Sequence, residues 1–316
     1  MPQTITLGIS SCLLGNNVRY DGGHQRDLYL INTLGQYVEY VPVCPEVECG
    51  MPIPRESLRL VGSPENPRLI TRKSGEDHTQ KMQDWAADRL DALEKENLSG
   101  FIFKSKSPSS GMERVKVYSE TGNTATKNGV GVFAKAFMER FPLIPVEEDG
   151  RMHDPVLREN FIIRIFALTR WRKARQSMKL ADLVSFHTDN KLLILGHSTE
   201  HYREMGRLVA KGKEMGRESL FQEYEKLLLT ALSRKSTRKK NTNVLQHMLG
   251  YFKRLLPDAE RHELLDIITR YHDGQLPLIV PITLFSHHVR KYDVEYLARQ
   301  TYLTPHPAEL ALRNHV

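Results

Sequence analysis

The sequence predicts two domains: a small doubly wound α/β domain over residues 1–149, built on a mainly parallel sheet, and an all-α domain over residues 150–316. Three observations predict this. At 316 residues the chain is long enough to bury about two cores. Up to Val146, short strand-like runs alternate with helical spacings in the order β-α-β-α-β-α-β, the pattern of a wound sheet. After Glu147-Glu148-Asp149-Gly150, which reads as an acidic, glycine-ended hinge, strand alternation stops and helical spacing takes over.

Composition narrows the class. Apolar content of 40% and charged content of 26% are those of a soluble globular protein. No run approaches the ~18 apolar residues of a membrane span, and Met1-Pro2-Gln3-Thr4 has neither the basic nor the apolar region of a signal peptide. A cytoplasmic protein with reduced thiols and no membrane partner is therefore expected. The net charge of +7 is compatible with a polyanionic partner, although charge alone specifies none.

Thr4–Ile9 alternates and reads as the first strand, delivering Ser10, Ser11 and Cys12 to its C-terminal end, where open α/β sheets bind ligands. A Gly-Asn-Asn turn and the polar turn Arg19–Gly23 follow, then helical spacing over Asp27–Leu34 through Leu28, Ile31 and Leu34. Val38–Val43 is a second strand, and it too ends in a cysteine, Cys44. The repeated strand-then-cysteine pattern brings Cys12 and Cys44 to one edge of a parallel sheet. The third cysteine, Cys49, follows Cys44 with four residues between them, and no cysteine lies beyond it. A disulfide framework would use an even, dispersed set. Three clustered thiols read either as metal or iron–sulfur ligands or as unrelated core and surface thiols.

Pro52 and Pro54 stiffen an extended segment, and Arg55 after them either meets an anion or is solvated. Thr79–Asn97 is an amphipathic helix with Met82, Trp85, Leu90 and Leu93 on one side. Gly100–Phe103 is a third strand that ends in the hydroxyl-rich, basic loop Lys104–Gly111, either an anion or nucleophile site or a solvated turn. Gly129–Phe141 reads as a glycine-started helix and Leu143–Val146 as the last strand.

Five blocks in order carry a resemblance: Ser10-Ser11-Cys12-Leu13-Leu14-Gly15, Arg19-Tyr20-Asp21-Gly22, Cys44-Pro45-Glu46, Pro54-Arg55 and Ser107-Pro108-Ser109-Ser110-Gly111. Over most of residues 4–148 the chain resembles the TudS-type thiouracil desulfidases. The resemblance implies a 4Fe-4S cluster held by three cysteines with one iron open. That iron takes the thiocarbonyl sulfur of a thiolated pyrimidine in a non-redox replacement of sulfur by oxygen. Where the short family members carry a ligand cysteine in the last block, this chain has Ser110. Counting thiols makes Cys49 the compensating ligand beside Cys12 and Cys44. The same resemblance implies Glu46 as general acid or base and Ser107 or Ser109 as nucleophile or water-orienting group. Arg19, Tyr20, Asp21, Arg55, Lys104 and Lys106 are then the candidates for contacting substrate.

The second half reads as helices: His153-Asp154-Pro155 opening a helix to Trp171, then apolar patches at Ala181–Phe186 and Leu192–Leu195, then Tyr202–Ala210, Glu218–Leu232 and Asn243–Leu256. Asp258–Tyr271, capped by Asp258, Thr283–Tyr292 and Val294–Gln300 complete it, with Pro277, Pro281, Pro305 and Pro307 as breakers. This half resembles the domain of unknown function often fused behind the desulfidase module. His197-Ser198-Thr199-Glu200-His201 fits the H-x-x-E-H zinc pattern but lacks a clear third ligand. Arg234, Lys235, Arg238, Lys239 and Lys240 put five cations in seven residues, joining Arg203, Arg207, Lys211 and Lys213. They read as a phosphate-contacting surface or as a solvated basic one.

The resulting expectation is a fused, RudS-type desulfidase that removes sulfur from 4-thiouridine in tRNA. Its rivals are desulfuration of free thiouracil or thiouridine nucleotides, a non-catalytic metal-stabilised RNA-binding regulator, and a zinc peptidase on His197 and His201. The sequence does not indicate an oligomeric state.

Overall fold

The computed structural model describes residues 5–122, 124–310 and 312–314, so Thr4 and the rest of the first four residues lie outside the described part. It divides into two compact units, Met1–Asp154 and Pro155–Val316.

The first unit contains strands β1 (Ile5–Ser10), β2 (Val38–Val43), β3 (Leu58–Val61), β4 (Arg68–Thr71), β5 (Gly100–Phe103), β6 (Val115–Tyr118), β7 (Ala125–Gly129) and β8 (Val146–Glu148). Its helices are α1 (Pro45–Glu48), α2 (Thr79–Lys95) and α3 (Val132–Arg140). Strands β2, β1, β5 and β8 form, in that order, an all-parallel sheet, as the fold class expects. Phe101 and Phe103 of β5 pack against Ala86, Leu90 and Leu93 of α2 and Phe133, Ala134 and Phe137 of α3. Each fully buried phenylalanine there contributes about 1.5–3 kcal/mol of transfer free energy.

A second sheet, in the order β4-β3-β6-β7, has no counterpart in the sequence reading. It is mixed: β3 runs parallel to β6 and antiparallel to β4, and β6 antiparallel to β7. Leu60, Val115 and Val117 turn inward against Met82 of α2, leaving Arg59, Lys116 and Tyr118 on the other face.

Several boundaries move for identifiable reasons. Gly129 ends β7, and the helix expected from it begins at Val132. Asp27 caps a turn by accepting the Tyr29 and Leu30 N–H groups, and Leu30 and Leu34 are buried there while Leu28 is exposed. The last strand is Val146–Glu148, so the expected acidic hinge is part of the sheet and its end. Glu147, Glu148 and Asp149 tolerate burial because each is partnered: Arg151 binds Glu147, Met112 N–H binds Glu148, and Lys104 binds Asp149.

The second unit is helical: α4 (Pro155–Arg175), α5 (Leu180–His197), α6 (Thr199–Ala210), α7 (Arg217–Ser233), α8 (Arg238–Tyr251), α9 (Asp258–His272), α10 (Ile279–Lys291) and α11 (Glu295–Ala298). Trp171 packs on Phe186, Phe221 and Tyr224 and donates its indole N–H to Glu225 at 2.6 Å. The two apolar patches expected near residues 181–195 belong to one helix, α5. Pro257 is the N-cap residue of α9, with Asp258 first in the helix rather than capping it. Pro281 does not break a helix; it sits in the first turn of α10, where its missing N–H has no intrahelical partner to lose. Among the described residues no helix is long and apolar enough to cross a membrane.

The H-x-x-E-H stretch is occupied by structural bonds. Buried His197 donates Nδ1–H to the Arg234 carbonyl at 2.7 Å, and burial lowers its pKa to about 4. His201 Nδ1 pairs with Ser198 Oγ at 2.9 Å, and Glu200 binds Arg234. Among the described residues no group of three or more acidic, histidine or cysteine side chains is placed to hold a metal ion.

Candidate active site

A cavity of about 390 Å³ opens beyond the C-terminal ends of β1, β2 and β5. The strand order reverses between β1 and β5, and the crevice at such a switch point is where open α/β sheets bind ligands. Cys12, Cys44, Glu46, Arg55, Ser107 and Ser109 are among the residues lining it.

Cys12 sits in the 3-10 turn Ser11–Leu14 that leaves β1, and Cys44 is the residue between β2 and α1. Pro45 starts α1, and Glu48 reaches back to accept the Cys44 N–H at 2.7 Å, which fixes the turn. Burial pushes the Cys12 thiol up to about 11; the neighbouring Cys44 adds to the rise and Lys104 opposes it. Burial raises Cys44 and Cys49 as well. Such thiols are weak nucleophiles at neutral pH, whereas a coordinated metal deprotonates them. Soft sulfur donors such as Cys12 and Cys44, both lining the cavity, fit two ligand positions of an iron–sulfur group better than thiol-based nucleophilic catalysis.

The structure brings Cys12 and Cys44 to one cavity but not Cys49. Cys49 ends the single turn of α1, where its thiol donates to the Glu46 carbonyl at 3.3 Å. It packs with Met51, Leu60, Met82 and Val115 under the second sheet and does not line the cavity. Ser110, standing where the family pattern has a cysteine, is buried in the cavity wall.

Glu46 is the hub of a hydrogen-bonded chain. Its Oε2 takes a two-pronged contact from Arg55, through Nε at 2.9 Å and through Nη2, and Nη2 also donates to the Val18 carbonyl. Its Oε1 accepts the Ser109 hydroxyl at 2.8 Å. With that proton committed to Glu46, Ser107 donates to Ser109 Oγ across 3.0 Å. Ser107 Oγ accepts the backbone N–H groups of Ser109 and Ser110, at 3.3 and 3.1 Å. Two amide dipoles aimed at one hydroxyl oxygen favour negative charge on it.

Glycines let the serine loop close. A Cβ on Gly131, at the start of α3, would stand 2.6 Å from the Ser109 carbonyl carbon and 2.8 Å from the Ser110 nitrogen. A Cβ on Gly111 would meet the Ser107 carbonyl oxygen at 2.8 Å.

The expected substrate contacts divide. Arg19 and Tyr20 stand at the cavity wall, with Arg19 also bound to Asp21, and Asp21 itself lies outside the lining. Arg55 and Lys104 line the cavity, but each already has a carboxylate: Glu46 holds Arg55 and Asp149 holds Lys104 at 2.7 Å. Lys106 is exposed at the rim and forms no ion pair among the described residues. Asp149 was not legible as a site residue, although its place just after β8 matches that of Cys12 after β1. Burial acts to raise its pKa, but the Lys104 ammonium and the Ser105 N–H outweigh this and hold its carboxyl below the usual value.

In the second unit Arg203, Arg207, Lys235, Arg238 and Lys239 are exposed, as a basic surface requires. Lys240 is tied to the His197 and Lys235 carbonyls at 2.7 and 2.9 Å, and Arg234 pairs with Glu200 at 2.8 Å. Those two cations serve local structure.

Comparison with known proteins follows the same division. Residues 7–149 match the family model for 2-thiouracil desulfurase, and residues 191–307 match a protein family of unknown function, DUF1722. The uncharacterized protein YbgA of Escherichia coli (strain K12) is 29% identical over 158 residues, covering 49% of this chain and 94% of that protein. The uncharacterized protein YbbK of Bacillus subtilis (strain 168) is 33% identical over 127 residues, covering 39% and 83%. Among solved structures, the 4Fe-4S-dependent thiouracil desulfidase TudS is 26% identical, with a TM-score of 0.40 over 48% of this chain and 95% of that one. With residues 7–149 matching the desulfurase model and YbbK covered over most of its length, the chain belongs to the 2-thiouracil desulfurase family, as a desulfidase whose domain is joined to a DUF1722 domain.

Proposed function

We propose that the protein converts 4-thiouridine in tRNA to uridine and releases sulfide, without net electron transfer. The observation that carries the chemistry is the Ser107–Ser109–Glu46 chain running into the same cavity as Cys12 and Cys44. Cys12 and Cys44 would supply two of the three thiolates of a 4Fe-4S cluster, and Cys49, which in this structure packs outside the cavity, would be the third only in a different arrangement of the segment after α1. When bound, a cluster with one iron lacking a protein ligand supplies a Lewis acid with affinity for sulfur.

The chain's own residues do the rest. Arg55 fixes Glu46 with one carboxylate oxygen toward Ser109. Glu46 draws a proton through Ser109, which activates Ser107 or a water beside it for addition to the carbon bearing sulfur. Over the whole cycle the C=S bond is replaced by C=O, one water is consumed and one hydrogen sulfide leaves, so no oxidant or reductant is required.

The tRNA half of the proposal rests on charge. The net charge is +7, and Arg203, Arg207, Lys235, Arg238 and Lys239 are exposed on the helical unit. A base inside a stacked helix has to leave it to reach the cavity, so local opening of the RNA accompanies binding.

The test is incubation of anaerobically reconstituted protein with bulk tRNA, followed by nucleoside analysis and sulfide assay. Uridine gained in step with 4-thiouridine lost and sulfide released supports the proposal. Untouched tRNA beside rapid desulfuration of free thiouracil would replace it with the free-base reading. Protein that binds tRNA and iron but desulfurises neither would replace it with a regulator.

A further inference from the structure

Beside the active-site cavity lies a second, larger groove of about 810 Å³. The two share Leu58, Ser105, Lys106 and Pro108, so the groove opens into the site. Its floor is the outer face of the second sheet. Residues i and i+2 of a strand share a face, which places Lys116 and Tyr118 of β6 together. Arg59 of β3 and Lys127 of β7 stand on the neighbouring strands, and Arg72 follows β4.

The charge of this groove is one-sided. Arg114 and Arg151 are both paired with Glu113. The other lining carboxylate, Glu148, is buried, and burial raises its pKa. Arg59, Arg72, Lys106, Lys116 and Lys127 form no ion pair among the described residues. Four of the five, Arg72, Lys106, Lys116 and Lys127, are exposed, and Arg59 is half-buried. An aromatic platform lies among them: the Arg59 guanidinium stands over the Tyr118 ring at 5.7 Å, and the Tyr118 hydroxyl is 3.5 Å from Arg72. Tyr118 is half-buried, and a track of cations around the open edge of an aromatic ring is the recognised chemistry for a single nucleic-acid strand, where phosphates meet charge and bases stack.

We infer that this groove holds the RNA strand flanking the thiolated nucleotide, so that the desulfidase domain itself, and not only the helical unit, grips the polynucleotide. The inference rests on the tRNA reading proposed above. Lys106, shared by both cavities, marks the point where the strand turns into the site. A free thiolated base reaches the cavity without touching the groove, so the groove sets the preference for a polynucleotide over a base.

The test uses the full-length, iron-loaded protein and a triple variant, Arg72→Gln with Lys116→Gln and Lys127→Gln. All three side chains are exposed, and none lines the active-site cavity. Thiolated tRNA binding is measured between ~50 and ~200 mM salt, and turnover of free thiouracil is measured alongside. Losing three phosphate contacts lowers the salt slope by about 2, which shrinks the salt-induced weakening over that interval roughly twentyfold. The expected result is that shallower slope with free-thiouracil turnover unchanged. An unchanged slope overturns the groove while leaving tRNA as substrate. Equal loss on free thiouracil also overturns it, because the groove would then act on catalysis rather than on the strand. Wild-type protein that desulfurises free thiouracil but never retains tRNA removes the tRNA reading, and this inference with it.

Discussion

Replacing Ser109 with alanine isolates the centre of the proposed proton chain. The substitution removes the hydroxyl that donates to Glu46 Oε1 at 2.8 Å and that accepts from Ser107 across 3.0 Å. Ser109 is 1% exposed, so the bond lies in a shielded site where a charged acceptor matters. A hydrogen bond to a charged group is worth about 1.5–3 kcal/mol. If it operates in the transition state, its loss slows turnover roughly 10- to 150-fold, at about 1.36 kcal/mol per decade. The assay is desulfuration of free thiouracil at varied substrate, with iron per chain measured on the same samples. A lower kcat with KM and iron content unchanged is expected. Unchanged kcat would refute the relay. Loss of iron in proportion to loss of rate would refute it too, since Ser109 would then support the cysteines rather than move a proton.

Three further outcomes follow from particular contacts. Cys12→Ala and Cys44→Ala should abolish iron binding with little effect on the melting of the iron-free protein. Cys49→Ala should also abolish it and in addition cost about 1 kcal/mol in the iron-free state, because its side chain fills an apolar cluster; full iron loading of Cys49→Ala would remove it as a ligand. Arg55→Ala leaves Glu46 as a shielded carboxylate without its cation, the side chains being 5% and 15% exposed. It should destabilise the domain by about 3–5 kcal/mol in denaturant unfolding, and a loss under 1 kcal/mol would show that the pair is solvated. Asp149 has a folded-state pKa below its ordinary value of 3.8, so its contribution is present above that pH and disappears as pH falls through the folded value. Melting curves of wild type and Asp149→Asn should therefore differ at neutral pH and converge in acid; a constant difference would show no linkage.

Much of the site was legible because strands announce their own ends. Ile5–Ser10 and Val38–Val43 are long enough to show β character, and each hands a cysteine to the sheet's C-terminal edge, so the strand pattern alone places Cys12 and Cys44 together. Glu46 and the serine loop were legible through the ordered blocks around them. The place of Cys49 under the second sheet was not, because counting thiols says nothing about where the residue that follows a one-turn helix packs its side chain.

The second sheet escaped because its strands are mostly four residues long, too short for alternation to stand out from a loop. Val115-Lys116-Val117-Tyr118 does alternate, and that pattern is the signal that could have found the groove. The acidic run at 147–149 reads as a hinge from composition alone. Its burial depends on Arg151, the Met112 amide and Lys104, partners that sequence spacing does not reveal. Lys240 misleads in the same way, since a cation bound to two carbonyls looks like any other cation in a basic run.

The most direct test of the account is an isotope experiment. Iron-loaded protein would be mixed with 4-thiouridine-containing tRNA in heavy-oxygen water, without oxygen or added reductant, and the uridine product weighed by mass spectrometry. The account predicts uridine carrying one heavy oxygen and one sulfide released per uridine formed. Uridine formed only when a reductant or oxidant is supplied, or lacking the water-derived oxygen, would contradict it.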